Sequence, residues 1–231
     1  MISLWAAWAV AASESNGPQG LAQLQEVVVT GSPVPGTTID IDKIPGNVQV
    51  LSGGDLTREG SASLTKALND DLSSVNVNDD LGDAFQPDIL YRGFEASPVL
   101  GTPQGLAVYE NGVRINEAFG DTVNWDLFPD IAVNQVELVS SSPLYGLNAL
   151  GGAISVAMKN GFTFQGAEIE LSGGSYGNRS AVAQYGVKSG AFGFYVAGKG
   201  LSWDGWRDFS SDKSAPCTLC SACIPAARRW I

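Results

Sequence analysis

The chain of 231 residues contains no histidine. That removes Ser-His-Asp and Cys-His nucleophilic chemistry, His-ligated zinc, and haem held by a proximal imidazole. Basic residues are scarce: 13 Lys and Arg stand against 24 Asp and Glu, for a net charge of -11. A chain so acidic, with no basic stripe, repels phosphate backbones, so no nucleic acid is expected as a partner. No apolar run approaches the roughly 18 residues of a membrane-spanning helix. Membrane contact would then need strands, a lipid anchor or a removed leader. All three cysteines fall at Cys217, Cys220 and Cys223. Their spacing echoes a ferredoxin, but a cluster needs a fourth ligand, and position 227 is Ala. No metal and no cofactor are expected.

Catalytic motifs are missing as well. Gly146 to Gly152 has the outline of a phosphate loop, but Gly152 stands where that loop needs lysine. The many carboxylates offer no pair that stands out for glycosidase chemistry. No catalytic residue is assigned, and the chain is read as not an enzyme.

What is present is 28 Gly, 11 Pro and a hydrophobic content of 44%. That content suits a folded chain, and the mixture favours a loop-rich β or α+β fold. Ile2 to Ala12 is apolar, and Ala9-Val10-Ala11 fits a leader-peptidase site. The first basic residue is Lys43, so the positive start of a leader is lacking. Residues 1–25 read as a partial signal peptide and a polar linker. Glu26-Val27-Val28-Val29-Thr30-Gly31 is a short β-prone run beside flexible segments. Such a run suits pairing with the sheet edge of a partner, or serves as an ordinary first strand.

From 42 to 160 short strands mix with short helices. Val48 to Leu51 alternates as a strand. Ser63 is positioned to cap a helix carrying Leu64, Ala67 and Leu68 on one face. Val75 and Val77 suit a half-buried strand. Asp88 to Phe94 reads as one strand, with Ile89 and Tyr91 on one face. Gly105 to Tyr109 and Val113 to Ile115 flank Asn111-Gly112, a hairpin signal. Asn134 to Val139 and Ala153 to Met158 are further strands. After Gly161 the texture changes to alternating segments with Tyr176, Tyr185, Tyr195, Trp203 and Trp206 around them. Dyad alternation with aromatic flanks is the pattern of membrane β-barrel strands, and a soluble β-meander has a similar one. Past Lys213 the alternation stops and acidic residues vanish. Residues 212–231 are therefore expected to be an aberrant, frameshifted tail.

Taken in order, these segments resemble the plug of TonB-dependent outer-membrane receptors and the start of their barrel. Glu26 to Gly31 looks like the TonB box. Pro45 with Val48-Gln49-Val50 resembles the first plug strand, and Leu64 with Ala67-Leu68 the L-x-x-A-L helix. Tyr91-Arg92-Gly93-Phe94 matches the R-G-F element. Val108 to Val113 resembles V-x-x-D-G-V, with Asn111 for the usual Asp. Val136-Glu137-Leu138-Val139 matches the strand after it. Tyr145-Gly146 with Ala149 to Ile154 resembles the end of the plug. One departure is Ser140-Ser141-Ser142-Pro143, which lacks the arginine of the common R-G-P.

The resemblance implies an α+β plug domain, a small mixed β-sheet with short helices, over 42–160. The first antiparallel strands of an incomplete transmembrane β-barrel follow over 161–211. It implies contact with TonB through Glu26, Val27, Val28, Val29, Thr30 and Gly31. It makes Arg92 and Glu137 candidates for locking plug to barrel. Ala96 to Thr102 and Asn116 to Asn124 become candidate ligand loops, or ordinary turns, with Ser97, Asn116, Asp121 and Asn124 as residues to examine. The implied partners are TonB, the outer membrane and a scarce ligand, foremost a ferric siderophore. The implied location is the Gram-negative outer membrane, with the periplasm as the alternative for a truncated chain. A barrel of about 22 strands needs more than about 200 strand residues. Residues 160–231 cannot supply them, so this chain alone is not expected to transport. A secreted soluble α+β binding module and a non-functional pseudogene fragment remain the alternatives.

Overall fold

A computed structural model of the chain describes residues 28–30, 38–40, 46–58, 64–83, 85–140, 143–205, 211–215 and 217–223. The leader-like segment and linker of 1–25 lie outside them, as do Glu26, Val27, Gly31, Pro45 and Ser63.

The first half is organised by a five-stranded sheet. Its strands are β3 (Val48–Ser52), β7 (Leu106–Glu110), β8 (Val113–Arg114), β9 (Val133–Ser140) and β10 (Gly152–Met158), in spatial order β3-β9-β10-β7-β8. β10 runs parallel to β7, and the other pairs are antiparallel. Asn111 and Gly112, at φ 48° and 83°, make the tight turn that the sequence foretells between β7 and β8. A smaller sheet joins β4 (Val75–Asn78), β5 (Asp88–Tyr91) and β6 (Phe94–Ala96). Here the expected single strand from Asp88 to Phe94 is corrected. The chain reverses at Arg92 and Gly93, at φ 51° and 86°, and Tyr91 pairs with Phe94. The apolar alternation on either side hid a two-residue turn.

Two helices pack on this framework. In α2 (Leu64–Asp71), Leu64, Ala67 and Leu68 are buried, as their spacing requires. α1 (Gly53–Arg58) was not foreseen, although Ser52 and Asp55 mark its start. The Asp55 amide donates to Ser52 Oγ at 3.4 Å, and the Ser52 amide donates to Asp55 Oδ2 at 3.3 Å, a reciprocal cap.

The plug-like sheet is buried on both faces. Leu51, Val108, Val136, Leu138, Ile154 and Val156 face the helices and the small sheet. Ala107, Tyr109, Val139 and Ala153 face Tyr145 and Ala149. Gly151 and Gly152 lie where backbone and rings close in. A Cβ on Gly151 would come within 2.3 Å of the Phe94 ring, and one on Gly152 within 2.5 Å of the Val139 carbonyl.

The second half is an antiparallel sheet of β11 (Gly166–Gly173), β12 (Arg179–Ser189), β13 (Phe192–Trp203), β14 (Asp212–Ser214) and β15 (Cys217–Cys223). β14 and β15 both pair with β13, β14 along Leu201 to Trp203 and β15 along Phe192 to Gly198. The segment expected as an aberrant tail thus pairs as far as Cys223. Alternation along β15 places positions 217 and 223 on one face and 220 on the other. Among the described residues, no helix is long and apolar enough to cross a membrane.

Two further strands, β1 (Val28–Thr30) and β2 (Thr38–Asp40), pair antiparallel as a separate ribbon.

Candidate functional site

The strand sheet of the second half has two unlike faces. Register aligns Ile169 with Ala183 and Gly198, and Leu171 with Ala181 and Gly200. Tyr185, Val187, Phe192, Phe194 and Val196 extend the same face. No charged residue lies between Leu171 and Phe192 on it. Ile169 is 75% exposed and Leu171 76%. An uninterrupted apolar face of this extent signals contact with something other than water. The opposite face carries Glu168, Ser180, Gln184, Tyr195, Lys199 and Trp203. Gln184 donates to Glu168 Oε2 at 2.6 Å, and the Tyr195 hydroxyl donates to Gln184 Oε1 at 2.8 Å. Apolar outside and hydrogen-bonded inside is the polarity of a barrel wall, the inverse of a soluble sandwich. β12 has 11 residues and β13 has 12, enough to cross a hydrocarbon layer at a tilt. Among the described residues, the strands leave both sheet edges open.

Among the described residues the inner face meets the first half through an ion pair and a longer hydrogen bond, the latter from Ser214 Oγ of β14 to Asp126 Oδ2 at 3.5 Å. Lys199, buried on β13, is ion-paired with Asp130 in the short 3₁₀ turn Asp130–Ala132. Asp130 Oδ1 also accepts the Leu64 amide at 2.7 Å, so one carboxylate caps α2 and holds the strand. Phe85 meets Trp203 edge-on at 6.3 Å. Where the chain passes from one half to the other, Lys159 donates to the Ile131 carbonyl at 2.8 Å and lies over the Phe164 ring. Burial there lowers the Lys159 pKa.

Three loops meet at the end of the first-half sheet where β7 and β10 begin. Asp121 joins them: it accepts from Arg114 Nη2 at 2.9 Å and from Asn148 Nδ2 at 2.8 Å. Asn116 accepts from the Val108 amide at 2.7 Å, and donates to the carbonyls of Leu106 and Asp121, both at 3.1 Å. Ser97 is fully buried and its Oγ accepts the Val99 amide at 2.9 Å. Asn124 donates to Glu117 Oε1 at 2.5 Å and is half-buried. Of the four candidate ligand residues, then, Ser97 is buried in its own loop, Asn116 and Asp121 spend their side chains on bonds among the loops, and Asn124 stands beside Glu117; the last three are all half-buried. The side chains that reach outward are apolar: Leu100, Phe119, Leu144, Leu147 and Leu150. The third loop, Pro143 to Leu150, was not among the candidate ligand loops.

The TonB-dependent Receptor Plug Domain family model matches residues 40–153. The chain carries a TonB-dependent receptor plug. No curated protein sequence matches it. Among solved structures it resembles the ferric-catecholate import receptor Fiu from E. coli K12, in its open form, with TM-score 0.60 and 20% identity over 79% of this chain and 25% of that one. It also resembles BauA, the ferric preacinetobactin receptor from Acinetobacter baumannii, with TM-score 0.62 and 14% identity over 86% and 28%. The siderophore receptor PiuA from the same organism gives 0.53 and 19% over 71% and 22%. At such identities the likeness is one of fold. The chain spans about a quarter of the length of these receptors. The plug and the unclosed antiparallel strands after it are the fold that the sequence led us to expect.

Within the plug, Arg92 and Glu137 occupy unlike places. Arg92 is exposed in its turn, with the guanidinium 5.1 Å from the centre of the Tyr91 ring. Glu137 is buried on β9, accepting from Gln135 Nε2 at 2.8 Å. Burial, with the Glu137 and Tyr109 charges adding to it, pushes the Tyr145 hydroxyl up to about 12. The plug-to-strand ion pair visible here is Asp130 with Lys199, which sequence reasoning missed. A Lys at an inward barrel position looked like one more polar residue of an alternating strand.

One buried carboxyl of the plug stands apart. Asp88 is 1% exposed, and neither oxygen has a hydrogen-bond partner among the described residues. Burial raises its pKa, with the nearby Ser97 hydroxyl opposing and the Asp80 charge adding to the rise. Glu95 is raised by burial and by Asp88 and Asp80.

The TonB-box-like run contributes β1. Val28, Val29 and Thr30 pair with Asp40, Ile39 and Thr38. A two-stranded ribbon alone is marginal in water.

Proposed function

We propose that this chain is the plug region, with the first wall strands, of an outer-membrane receptor for energy-coupled uptake of a ferric siderophore. The plug family match over 40–153, continued directly by strands with an apolar outer face, carries the reading. The solved structures it resembles are receptors: Fiu imports ferric catecholates, BauA is a receptor for ferric preacinetobactin, and PiuA is a siderophore receptor.

In this reading Glu26 to Gly31 is the coupling segment. The outer membrane has no nucleotide fuel, so work must arrive as a pull from the inner membrane. A strand added to TonB's sheet transmits such a pull, because its main-chain hydrogen bonds load in shear. The ribbon of β1 and β2 must open first, and its small size makes that inexpensive. The strands present leave open edges, which lipid does not tolerate. Uptake therefore requires a closed barrel around this plug. The exposed side chains of the three joined loops, with Asn124 beside Glu117, form the surface offered to the ligand.

Binding of the chain to the periplasmic domain of TonB, followed by calorimetry, tests the coupling role. The expected result is a complex that Val28→Pro or Val29→Pro abolishes, since proline removes a strand donor. A complex untouched by both substitutions, or none with the unaltered chain, would remove residues 26–31 from the mechanism.

A further inference from the structure

The three loops joined at Asp121 differ in charge from the acidic chain around them. Residues 97–105 and 143–151 contain no charged side chain, and residues 115–124 contain only Glu117 and Asp121. No lysine or arginine stands in any of the three. Asp121 is spent on Arg114 and Asn148, whereas Glu117 is exposed beside Asn124. The exposed Arg92, in the turn before Phe94, holds its guanidinium over the Tyr91 ring.

What these loops offer to solvent is hydrocarbon. Phe119 is 79% exposed and Leu147 80%, and Leu100, Leu144 and Leu150 are each more than half exposed. Their loops meet, so the side chains share one surface. Leu100 closes over Gly120, where a Cβ would come within 2.4 Å of its Cδ2, and so lies beside Phe119. Asn148 donates to Asp121 Oδ2 at 2.8 Å, which brings Leu147 to the same place. Contiguous exposed hydrocarbon marks a binding surface.

That surface faces outward. β10 starts among these loops and ends at Met158, and the chain then turns against the wall. There Gly161 lies against Phe194, and Gly186 against Phe164, each too close for a Cβ. This is the level of the short turn at 190–191 between β12 and β13. Short turns in such barrels are periplasmic, so the loops stand at the opposite, extracellular end.

The charge of a ferric chelate depends on its donors. A ferric tris-catecholate is a trianion, whereas a ferric tris-hydroxamate is neutral. The trianion would meet no cation on the three loops and would face Glu117, and like charges across an interface are disfavoured. A neutral chelate with a hydrocarbon group loses nothing to Glu117 and gains by covering the leucines.

We propose that these loops receive an electrically neutral ferric chelate that carries an alkyl or aryl group, with the hydrocarbon seated on Leu100, Phe119 and Leu147. The inference rests on the siderophore reading above and names the ligand class within it. The plug contributes affinity through covered hydrocarbon, and Glu117 contributes selectivity against an anion.

The test is equilibrium dialysis of radioiron-labelled chelates against the full chain in phosphatidylcholine nanodiscs, with empty nanodiscs as the blank. The probes are ferric tris-hydroxamates with alkyl tails of increasing length and a ferric tris-catecholate. The expected result is hydroxamate binding that tightens about four-fold per methylene covered, and weaker binding of the catecholate. The double substitution Phe119→Ser with Leu147→Ser should abolish the gain with tail length; both positions are exposed, so the fold does not depend on them. A tail length without effect, or a gain that survives the double substitution, would overturn the proposal and leave the siderophore reading standing. A catecholate bound as tightly as the longest-tailed hydroxamate would do the same. Equal binding of the iron-free hydroxamates would also overturn it, because the surface would then hold hydrocarbon rather than a chelate. If neither class of chelate binds, the proposal falls together with the siderophore reading.

Discussion

In the plug sheet, Val136 and Leu138 of β9 point into a core of helix and strand, and almost nothing apolar on that sheet meets water. In the sheet from β11 to β15, Ile169 and Leu171 stand fully outward, while Gln184, Tyr195 and Lys199 turn inward. Both sheets alternate with the same period. They differ in which side of the pleat is apolar, and that single choice assigns one to a water-surrounded domain and the other to a lipid-facing wall. The two meet at Asp130 and Lys199, where a wall residue supplies the charge that a plug turn requires.

The sharpest way to break the comparison is to cut that join. Lys199→Ala leaves the mostly buried Asp130 with the Leu64 amide but without its counter-charge, and should cost up to about 3–5 kcal/mol in urea unfolding of the detergent-solubilised chain. Replacing both partners, with Lys199→Met and Asp130→Asn, should recover much of that loss, since no lone charge remains. A single substitution with no effect would show that this ion pair does not hold the halves together.

Next come paired substitutions on the two sheets. Leu68→Ala in the plug core should cost about 2–5 kcal/mol in the same measurement. Ala183→Arg, in the middle of the outer face, should leave the plug unchanged but disfavour insertion into vesicles by about 2–4 kcal/mol. If Ala183→Arg inserts as well as the unaltered chain, the outer face does not meet lipid.

Asp88 gives the plug a pH response of defined sign. Its folded pKa lies above the unfolded value, so the fold binds more protons in the window between them. Stability is full below the unfolded value and falls as pH rises through the folded one. Asp88→Asn should flatten that fall, read as the pH dependence of the urea midpoint. A slope identical in the variant would assign the response elsewhere.

The smallest effect is expected at Arg92. It holds φ 51°, a region that side chains seldom adopt, with its guanidinium on the Tyr91 ring. Arg92→Gly relieves the backbone and loses the ring contact, so the unfolding midpoint should shift by less than about 1 kcal/mol. A larger loss in a closed receptor than in this chain would point to a barrel partner for Arg92.

Much of this was legible in the sequence. The order of Leu64 with Ala67-Leu68, Asn111-Gly112 and Gly151-Gly152 carries the plug, because helix spacing, a turn and a close approach are local demands. The alternation of β11 to β13 carries the wall for the same reason. What escaped was set by tertiary contact. The turn at Arg92 looked like strand because Tyr91 and Phe94 flank it. The Asp130–Lys199 pair joins positions 69 residues apart. Ser97, Asn116 and Asp121 were legible as loop residues, but their hydrogen bonds inward could not be read from residue type.

The most direct test follows the pleat of β12 itself. With Cys217, Cys220 and Cys223 replaced by Ser, a single cysteine at each of positions 181 to 187 would carry an environment-sensitive fluorophore in phosphatidylcholine vesicles. The expected result is a period of two: labels at 181, 183, 185 and 187 report hydrocarbon, and those at 182, 184 and 186 report a polar interior. A uniform aqueous signal, or the opposite phase, would contradict the assignment of these strands to a membrane wall.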